Sequence, residues 1–260
     1  MTILDKIIAY KRNEVIKNKD FRSFKELEKS IYFKSETKSL KEYILRIDKS
    51  GIIAEFKRKS PSKGVINGTS KVEDVIAGYE KSGVSALSIL TDTHFFGGKN
   101  EDVLTARKIN TCPILRKDFI VSEYQILEAK AIGADAILLI AAVLSIKEIK
   151  QFTSFAQQLG LEVLFEVHTQ EELDKYIPEI SLVGINNRNL KTFKVDFENS
   201  ILLSKQLPLD TVKVAESGIN DYKNIIELKK HGFEGFLIGE NFMKTNSPEL
   251  ACKTFIDKLM

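Results

Sequence analysis

Eight short apolar runs recur from residue 51 onward, and amphipathic segments separate them. The runs are residues 52–57, 86–90, 113–117, 136–140, 162–166, 182–186, 212–216 and 235–239. Several of the intervening segments have the spacing of helices, for example 122–134, 145–160 and 220–233. Strands that alternate with helices indicate βαβ units and a parallel sheet. Eight such units in about 200 residues predict closure into an α/β fold of the (β/α)₈, or TIM, barrel type. An open, doubly wound sheet is the competing arrangement.

The first fifty residues precede this pattern and have a different character. Ile3, Ile7 and Val15 recur at helical spacing among charged residues, which indicates an amphipathic N-terminal helix. A second short helix is predicted through Leu40, Tyr43, Ile44 and Ile47. The chain has 260 residues, close to the roughly 250 of one barrel. We therefore expect one domain over residues 1–260, with residues 1–50 as a helical extension.

Charge and cysteine content exclude several classes of function. The 39 basic and 36 acidic residues give a net charge of +3, too balanced to predict a nucleic-acid-binding face. Cys112 and Cys252 are far apart and form no metal-ligand or CxxC spacing, which is typical of thiols in a reducing compartment. No apolar run approaches the ~18 residues of a membrane span, and the N-terminus does not read as a signal peptide. We expect a cytoplasmic protein without an obligate protein partner; the oligomeric state is left open.

Polar side chains stand where several apolar runs end. Side chains alternate between the two faces of a strand, and the carboxyl ends of barrel strands form the face that carries the chemistry of barrel enzymes. The spacing places six of these polar residues on the inner face, at the same end of the barrel. They are Glu55, Lys57, Lys117, Glu166, Asn186 and Glu216. Buried charges are costly unless they are paired, so we expect a Lys/Glu cluster whose altered pKa values suit acid–base catalysis.

Two glycine-containing turns follow the last two runs, AESGI (215–219) and LIGENFMK (237–244). Barrels often bind phosphate with the loops after strands seven and eight and the N-terminus of a short extra helix. Gly218 and Gly239 are the candidate phosphate-binding residues, together with the backbone N–H groups of Ser217 and Glu240. A carboxylate repels phosphate, so the Glu240 side chain is expected to turn away. Ordinary tight turns are the alternative interpretation.

Three further features have open interpretations. The segment SPSKG (60–64) after the first run is either a mobile lid or a simple turn. Phe95 and Phe96 either stack on a planar ligand or cover the core. His94 and His168 could be acid–base groups, but we interpret them as surface or structural residues. The sequence has neither metal-ligand spacing nor a glycine-rich dinucleotide fingerprint.

The motif AEFKRKSPSKG (54–64) resembles the signature of the indole-3-glycerol phosphate synthases. The motifs that follow are similar in the same order: LTDTHFFGG, LRKDFI, LFEVH, GINNRNL, AESGI and LIGENFM. The resemblance covers essentially the whole chain, including the N-terminal extension. It implies a lyase of tryptophan biosynthesis that converts 1-(2-carboxyphenylamino)-1-deoxyribulose 5-phosphate into indole-3-glycerol phosphate, carbon dioxide and water. No metal or cofactor is implied.

The resemblance also implies roles for individual residues. Lys117 corresponds to the general acid and Glu166 to a general base, and the pair at the end of the first run falls on Glu55 and Lys57. The other positions that match the family's motifs are Asn186 and Glu216 in the catalytic set and Ser60, Phe96, Phe119, Arg188 and Ser217 in substrate binding. The sequence does not decide which lysine acts in ring closure and which in dehydration.

Two other functions compete with this interpretation. A phosphoribosylanthranilate isomerase-like barrel would share the phosphate loops, but it would need a Cys/Asp pair at strand ends, and Cys112 precedes the third run. A non-catalytic barrel that binds a phosphometabolite would keep the phosphate site without needing Lys117 and Glu166.

Overall fold

Eight parallel strands form a closed barrel in the computed structural model, which describes residues 2–188 and 194–259. Each strand pairs with the next one along the chain, and the last pairs with the first. The strands are β1 (Ile52–Phe56), β2 (Ala86–Leu90), β3 (Ile114–Lys117), β4 (Ala136–Ile140), β5 (Glu162–Val167), β6 (Leu182–Asn186), β7 (Val212–Glu216) and β8 (Phe233–Ile238). The predicted barrel is confirmed. Lys57 and Gly239 follow their strands instead of ending them, because β1 stops at Phe56 and β8 at Ile238.

Helices surround the barrel and precede it. They are α1 (Ile3–Phe21), α2 (Phe24–Leu27), α3 (Leu40–Leu45), α4 (Val72–Lys81), α5 (Thr93–Phe96), α6 (Asn100–Ile109), α7 (Glu123–Ala131), α8 (Ile146–Gln158), α9 (Gln170–Leu173), α10 (Phe197–Ser204), α11 (Tyr222–Lys230), α12 (Glu240–Met243) and α13 (Pro248–Ile256). The segment predicted over 122–134 ends early, because Gly133 takes up the left-handed conformation that closes a helix. Of the described helices, none has the length and apolar character to cross a membrane.

The inside of the barrel is filled according to the predicted alternation. Ile53, Leu115, Leu138 and Leu164 point inward into one apolar cluster, while their strand neighbours pack outward against the helices. Helix α3 closes the amino-terminal end, since Leu40 and Ile44 belong to the inner cluster. The inclusion of Ile47 in this helix is wrong. Helix α3 ends at Leu45, and Ile47 is fully exposed.

The N-terminal extension packs on one side of the barrel, against α7. Val15 and Leu27 form a separate buried cluster with Tyr124 and Leu127. The Tyr124 hydroxyl lies 2.9 Å from the carbonyl oxygen of Asn18 and the same distance from that of Arg22. Apolar burial and a polar anchor therefore fix the end of α1 on the barrel.

Residues 61–63, in the segment after β1, form a turn, which is one of the two interpretations that the sequence left open. Lys59–Ser60 and Gly64–Val65 pair antiparallel and form a short hairpin. The backbone N–H groups of Ile66 and Asn67 both donate to the carbonyl oxygen of Arg58, which closes the base of the hairpin. The segment interpreted as a lid or a turn thus has regular structure of its own.

A buried carboxylate at the amino-terminal end of the barrel leads to the first prediction. Asp135 is 3% exposed and accepts from the backbone N–H groups of Lys38 (2.8 Å) and Ile114 (2.7 Å), and its side chain pairs with Arg107. We expect Asp135→Ala to lower the free energy of unfolding by about 3–5 kcal/mol, because it leaves the Arg107 guanidinium without its carboxylate partner and two buried N–H groups without an acceptor. Denaturant unfolding measures the change.

The matched control for Asp135→Ala is Asp257→Ala. Its partner is Lys253, and both side chains of this pair are more than half exposed. An exposed pair at i,i+4 contributes roughly 0.3–0.5 kcal/mol, so the control should unfold almost like the wild type. Equal losses in the two variants would contradict the role given to Asp135.

Candidate active site

Lys117 lies at the centre of the polar cluster that the strand pattern predicts. Its Nζ is 3.0 Å from Glu216 Oε2, at the end of β7, and 3.4 Å from Glu166 Oε2, at the end of β5. All three side chains point inward, because they follow Leu115, Leu164 and Val214 of the inner cluster by two residues. The structure therefore brings together side chains whose convergence the sequence predicted, and it adds that the Lys117 ammonium lies between the two carboxylates.

Burial and mutual charge shift the pKa values of this trio in different directions. Burial alone would lower the pKa of Lys117, but Glu216 and Glu166 raise it well above its ordinary value. Burial alone would raise the pKa of Glu166, yet the positive charges of Lys117 and His168 hold it far below its usual range. Burial raises the pKa of Glu216 to about 7, against the opposing charge of Lys117. The cluster at neutral pH thus holds a fixed ammonium, a fixed carboxylate and a second carboxyl group that titrates.

The raised pKa of Glu216 predicts a dependence of stability on pH. A carboxyl group whose pKa is higher in the folded protein than its ordinary 4.5 binds its proton more tightly when folded. Its stabilising contribution is complete below about pH 4.5 and is lost as the pH rises through about 7. We therefore expect the wild type to lose stability relative to Glu216→Gln between about pH 5 and pH 8. Unfolding free energies of the two proteins across this range measure the difference, and a constant difference would contradict the pKa of Glu216.

The first-strand pair forms a second ion pair in the mouth of the barrel. Lys57 Nζ lies 2.6 Å from Glu55 Oε1, and Ser88 Oγ on β2 lies 3.3 Å from Glu55 Oε2. Lys57 and Lys117 hold the pKa of the buried Glu55 carboxyl below its ordinary value, against the effect of burial. Glu55 stays ionised and fixes the Lys57 ammonium beside the central trio.

Two glycines make room for the buried carboxylates. A Cβ atom on Gly239 would come within 2.5 Å of Glu55 Oε1, and one on Gly184 would collide with Glu216 Oε1. Gly184 lies on β6, where the inward alternation places a side chain in the barrel. Larger residues at these positions would displace the acids of the site. The sequence analysis did not identify the role of Gly184, although the alternation of side chains along β6 places this position on the inner face.

Glu166 has polar partners besides Lys117. Asn186 Nδ2 donates to Glu166 Oε1 over 3.2 Å, and His168 Nε2 lies 3.3 Å from the same oxygen. On its other side His168 Nδ1 is 3.0 Å from Glu172 Oε2. Burial alone would lower the pKa of His168, but the neighbouring carboxylates of Glu166 and Glu172 raise it to about 10. His168 is therefore an imidazolium that orients Glu166.

The sequence analysis assigned His168 no part in the site, and the structure corrects this. His168 follows Glu166 by two residues, so the same alternation that predicted Glu166 puts both side chains on the inner side. Ser88, likewise, is the polar member of an otherwise apolar inward set on β2. If the alternation rule had been applied to every polar residue in or next to a strand, and not only to those that end a strand, it would have identified both His168 and Ser88.

The turns after β7 and β8 have the predicted form. Ser217 has a φ of 68°, a conformation that is unusual for a non-glycine residue, and Asn187 Nδ2 donates to its carbonyl oxygen over 2.8 Å. Gly218 follows with a φ of 76°. Gly239 is the N-cap of the four-residue helix α12, as the sequence predicts. The backbone strain at Ser217 is of the kind that concentrates at binding sites.

The Glu240 carboxylate is not without partners. It lies 3.4 Å from Arg188 Nη2 and 3.8 Å from Lys63 Nζ of the hairpin. These contacts do not test the expectation that this side chain turns away from a phosphate, which stays a prediction. Glu240 thus pairs with one cation from the segment after β6 and one from the hairpin after β1, and the Arg188 guanidinium lies beside the turn after β8.

The aromatic candidates lie next to each other. The rings of Phe96, at the end of α5, and Phe119, just after β3, have their centroids 5.8 Å apart at 40°. Both side chains are half-buried, and Phe119 also packs against the inner cluster. Ser60 lies on the hairpin, where its Oγ is 3.5 Å from Ser62 Oγ. The structure thus offers a partly open aromatic pair beside Lys117.

Other parts of the described chain are weaker candidates for a functional site. Cys112 is fully buried before β3, with its Sγ against the Val84 carbonyl oxygen, so it does not reach the mouth. No group of three or more acidic, histidine or cysteine side chains among residues 2–188 and 194–259 is arranged to hold a metal ion. A cleft of about 510 Å³ lies outside the barrel, lined by residues 220–222, 245–247, 250, 251, 254, 255 and 258. It contains no predicted site residue and lacks the convergent charges of the mouth, so the strand ends are the stronger candidate.

Comparison with known proteins identifies the family to which the chain is similar. The family model described as indole-3-glycerol phosphate synthase matches residues 4–255. A protein of Bacteroides thetaiotaomicron named indole-3-glycerol phosphate synthase is 49% identical, over 98% of this chain and 97% of its own length. A protein of the same name from Caldanaerobacter subterraneus subsp. tengcongensis is 41% identical, over 99% of this chain and 98% of its own.

Solved structures support the fold independently. The chain is similar to one in the tryptophan synthase α₂β₂ complex of Pyrococcus furiosus, with a TM-score of 0.59 and 15% identity over 82% of this chain and 99% of that one. Thiamine phosphate pyrophosphorylase from Pyrococcus furiosus gives a TM-score of 0.57 and 16% identity over 80% and 96%. At these identities the similarity shows the barrel architecture alone.

Proposed function

The chain belongs to the indole-3-glycerol phosphate synthase family, and from that premise we propose that it catalyses the ring-closing carboxy-lyase reaction of tryptophan biosynthesis. The substrate would be 1-(2-carboxyphenylamino)-1-deoxyribulose 5-phosphate, and the products indole-3-glycerol phosphate, carbon dioxide and water. The observation that carries the proposal is Lys117, whose partly buried ammonium lies between Glu216 and Glu166 at the carboxyl ends of the strands.

Ring closure is assigned to Lys117. The ring carbon that bears the carboxylate attacks the ketone carbon, a carbon–carbon bond forms, and the carbonyl electrons move to oxygen. The resulting alkoxide is a strong base, strong enough to take a proton even from an ammonium whose pKa is raised. Before that transfer, the fixed positive charge already stabilises the oxygen as it becomes negative. Carbon dioxide then leaves, and its bonding electrons restore the aromatic ring.

Dehydration is assigned to Glu166. The hydroxyl formed in the first stage must leave as water, which requires a proton from an acid. The carbon next to nitrogen must lose a proton to a base, so that the indole double bond can form. Glu166 is ionised and oriented by Asn186 and His168 for that removal. Lys57 either supplies the proton to the hydroxyl or holds the substrate carboxylate, with Glu55 fixing its position.

The remaining candidates would bind the two ends of the substrate. Gly218, Gly239 and the N–H groups of Ser217 and Glu240 suit the phosphate, because backbone donors at a turn and a helix start attract anions. Phe96 and Phe119 suit the aromatic ring at the opposite end. Anchoring both ends would hold the flexible chain folded for attack. Arg188 and Ser60 complete the proposed binding set.

The test is a fluorescence assay of the purified protein with the carboxyphenylamino-deoxyribulose phosphate, without added metal or cofactor. Indole product should appear at roughly 1 s⁻¹, a rate within the usual range of enzymes. Tight binding of the substrate without product would instead support the phosphometabolite-binding barrel. The cytoplasmic location and the absence of nucleic-acid, membrane and obligate protein partners stay predictions from the sequence.

A further inference from the structure

A buried lysine of the N-terminal helix makes contacts that the proposed chemistry does not use. Lys11 lies on α1, outside the barrel, yet it is 2% exposed. Its Nζ is 2.9 Å from Asp92 Oδ2, 3.0 Å from Asp118 Oδ1 and 2.6 Å from Glu14 Oε2. Asp92 and Asp118 belong to the segments after β2 and β3, so one ammonium from the extension joins two segments of the barrel.

Each of these aspartates holds the backbone of an aromatic residue. Asp92 is the N-cap of α5, and its Oδ1 accepts from the N–H groups of Phe95 (2.7 Å) and Phe96 (3.2 Å). Asp118 Oδ1 accepts from the N–H of Phe119 over 2.8 Å. Lys11 thus contacts two carboxylates, and these carboxylates in turn bind the backbone of Phe96 and Phe119. The centroids of the two rings are 5.8 Å apart.

Loss of the ion pairs between Lys11 and the two aspartates would be energetically unfavourable, because the charges are buried. Asp92 and Asp118 are almost completely buried, so each requires a nearby cation. Asp118 has a second one in Arg116, whose Nη2 lies 3.3 Å from Asp118 Oδ2. Burial alone would lower the pKa of Lys11, but Asp118 and Asp92 raise it above its ordinary value. The ammonium stays charged at neutral pH, and its removal would take the cation away from the buried Asp92 and leave Asp118 with Arg116 alone.

A second contact joins the same helix to the same segment. The Tyr10 ring stacks on His94, with centroids 4.4 Å apart and an angle of 19°, and meets the edge of Phe95 at 5.7 Å. Helix α1 therefore reaches α5 through an ion pair on the buried side and through rings on the outer side. Packing of α1 against α7 alone would not require either contact.

We propose that Lys11 is a positioning residue, which fixes the backbone of Phe96 relative to that of Phe119 and so makes the N-terminal helix part of the aromatic end of the substrate site. The expected effect of Lys11 on substrate binding rests on the proposed function. The expected effect of Lys11 on the backbone of Phe96 and Phe119 does not rest on it, since this effect follows from contacts within the protein alone.

Amide hydrogen exchange of the full chain, without substrate, tests the backbone part. Lys11→Met keeps the length of the side chain and removes its charge. We expect exchange at least tenfold faster at the Phe95, Phe96 and Phe119 amides, with exchange in strands β4 and β5 unchanged. Lys17→Met is the matched control, because Lys17 is exposed on the same helix; it should exchange like the wild type everywhere.

Kinetics with the proposed substrate test the second part. The Lys11→Met protein should show a KM raised about tenfold and a kcat within about threefold of the wild type, the pattern of lost binding without loss of chemistry. Two results overturn the proposal: unchanged exchange at the three amides, and acceleration that spreads equally to β4 and β5, which would make Lys11 a general stabiliser. If the wild type has no activity, the proposed function fails while the exchange result still decides the role of Lys11.

Discussion

Replacing Lys117 with alanine should lower turnover by a factor of ~10² or more, since general acid catalysis contributes at least that much to a rate. Alanine removes the ammonium that would stabilise and protonate the new alkoxide. It also leaves Glu216 and Glu166 facing each other without their shared cation, and one of the two would then take up a proton. Steady-state kinetics by indole fluorescence measure the loss.

The control for Lys117→Ala is Lys213→Ala. Lys213 also lies on a barrel strand, but it follows Val212 of the inner cluster by one residue, so its side chain is on the outer side. Its loss should leave turnover within about twofold of the wild type. Near-normal turnover of Lys117→Ala, in a protein that unfolds as cooperatively as the wild type, would remove Lys117 from the mechanism.

The central trio could be predicted from sequence because two periodic rules act together. Alternation along a strand fixes the side to which a residue points, and parallel closure gathers the carboxyl ends of all strands at one rim. Lys117, Glu166 and Glu216 belong to strands β3, β5 and β7, far apart in the chain. Once each strand end was located, their convergence followed without knowledge of any distance.

Contacts outside the strands follow no such rule. Lys11 contacts Asp92 and Asp118 because α1 packs against the outside of the barrel. Neither the spacing of residues nor the composition predicts where α1 packs. The pairing of Arg188 with Glu240 similarly depends on how the segment after β6 meets the start of α12. Periodicity locates elements, whereas the relative placement of loops depends on packing that only the folded chain shows.

The structure also changes how the acid–base pair is understood. From sequence, Lys117 and Glu166 could be separate groups with separate roles. In the folded protein Glu166 lies between two cations, Lys117 at 3.4 Å and His168 at 3.3 Å. When Lys117 gives its proton to the alkoxide, Glu166 keeps the His168 imidazolium as a partner. Glu166 therefore remains ionised for the later stage, in which a base is needed.

Replacement of Glu166 by glutamine should separate the two stages of the reaction. Glutamine keeps the volume of the side chain and can still accept from Asn186 Nδ2, but it cannot take a proton. We expect overall turnover to fall by ~10²–10⁴, the usual contribution of a general base, with KM within a few-fold of the wild type. Glu171→Gln, an exposed change on the neighbouring helix α9, should have no effect.

A single turnover of the Glu166→Gln protein identifies the step that is lost. Carbon dioxide should be released at nearly the wild-type rate while indole fluorescence lags far behind, because ring closure and decarboxylation require Lys117 and only dehydration requires the base. Lys117→Ala should instead delay both signals together. If the two signals slow equally in Glu166→Gln, Glu166 acts before carbon dioxide leaves, and the base for dehydration must be sought among Glu55 and Glu216.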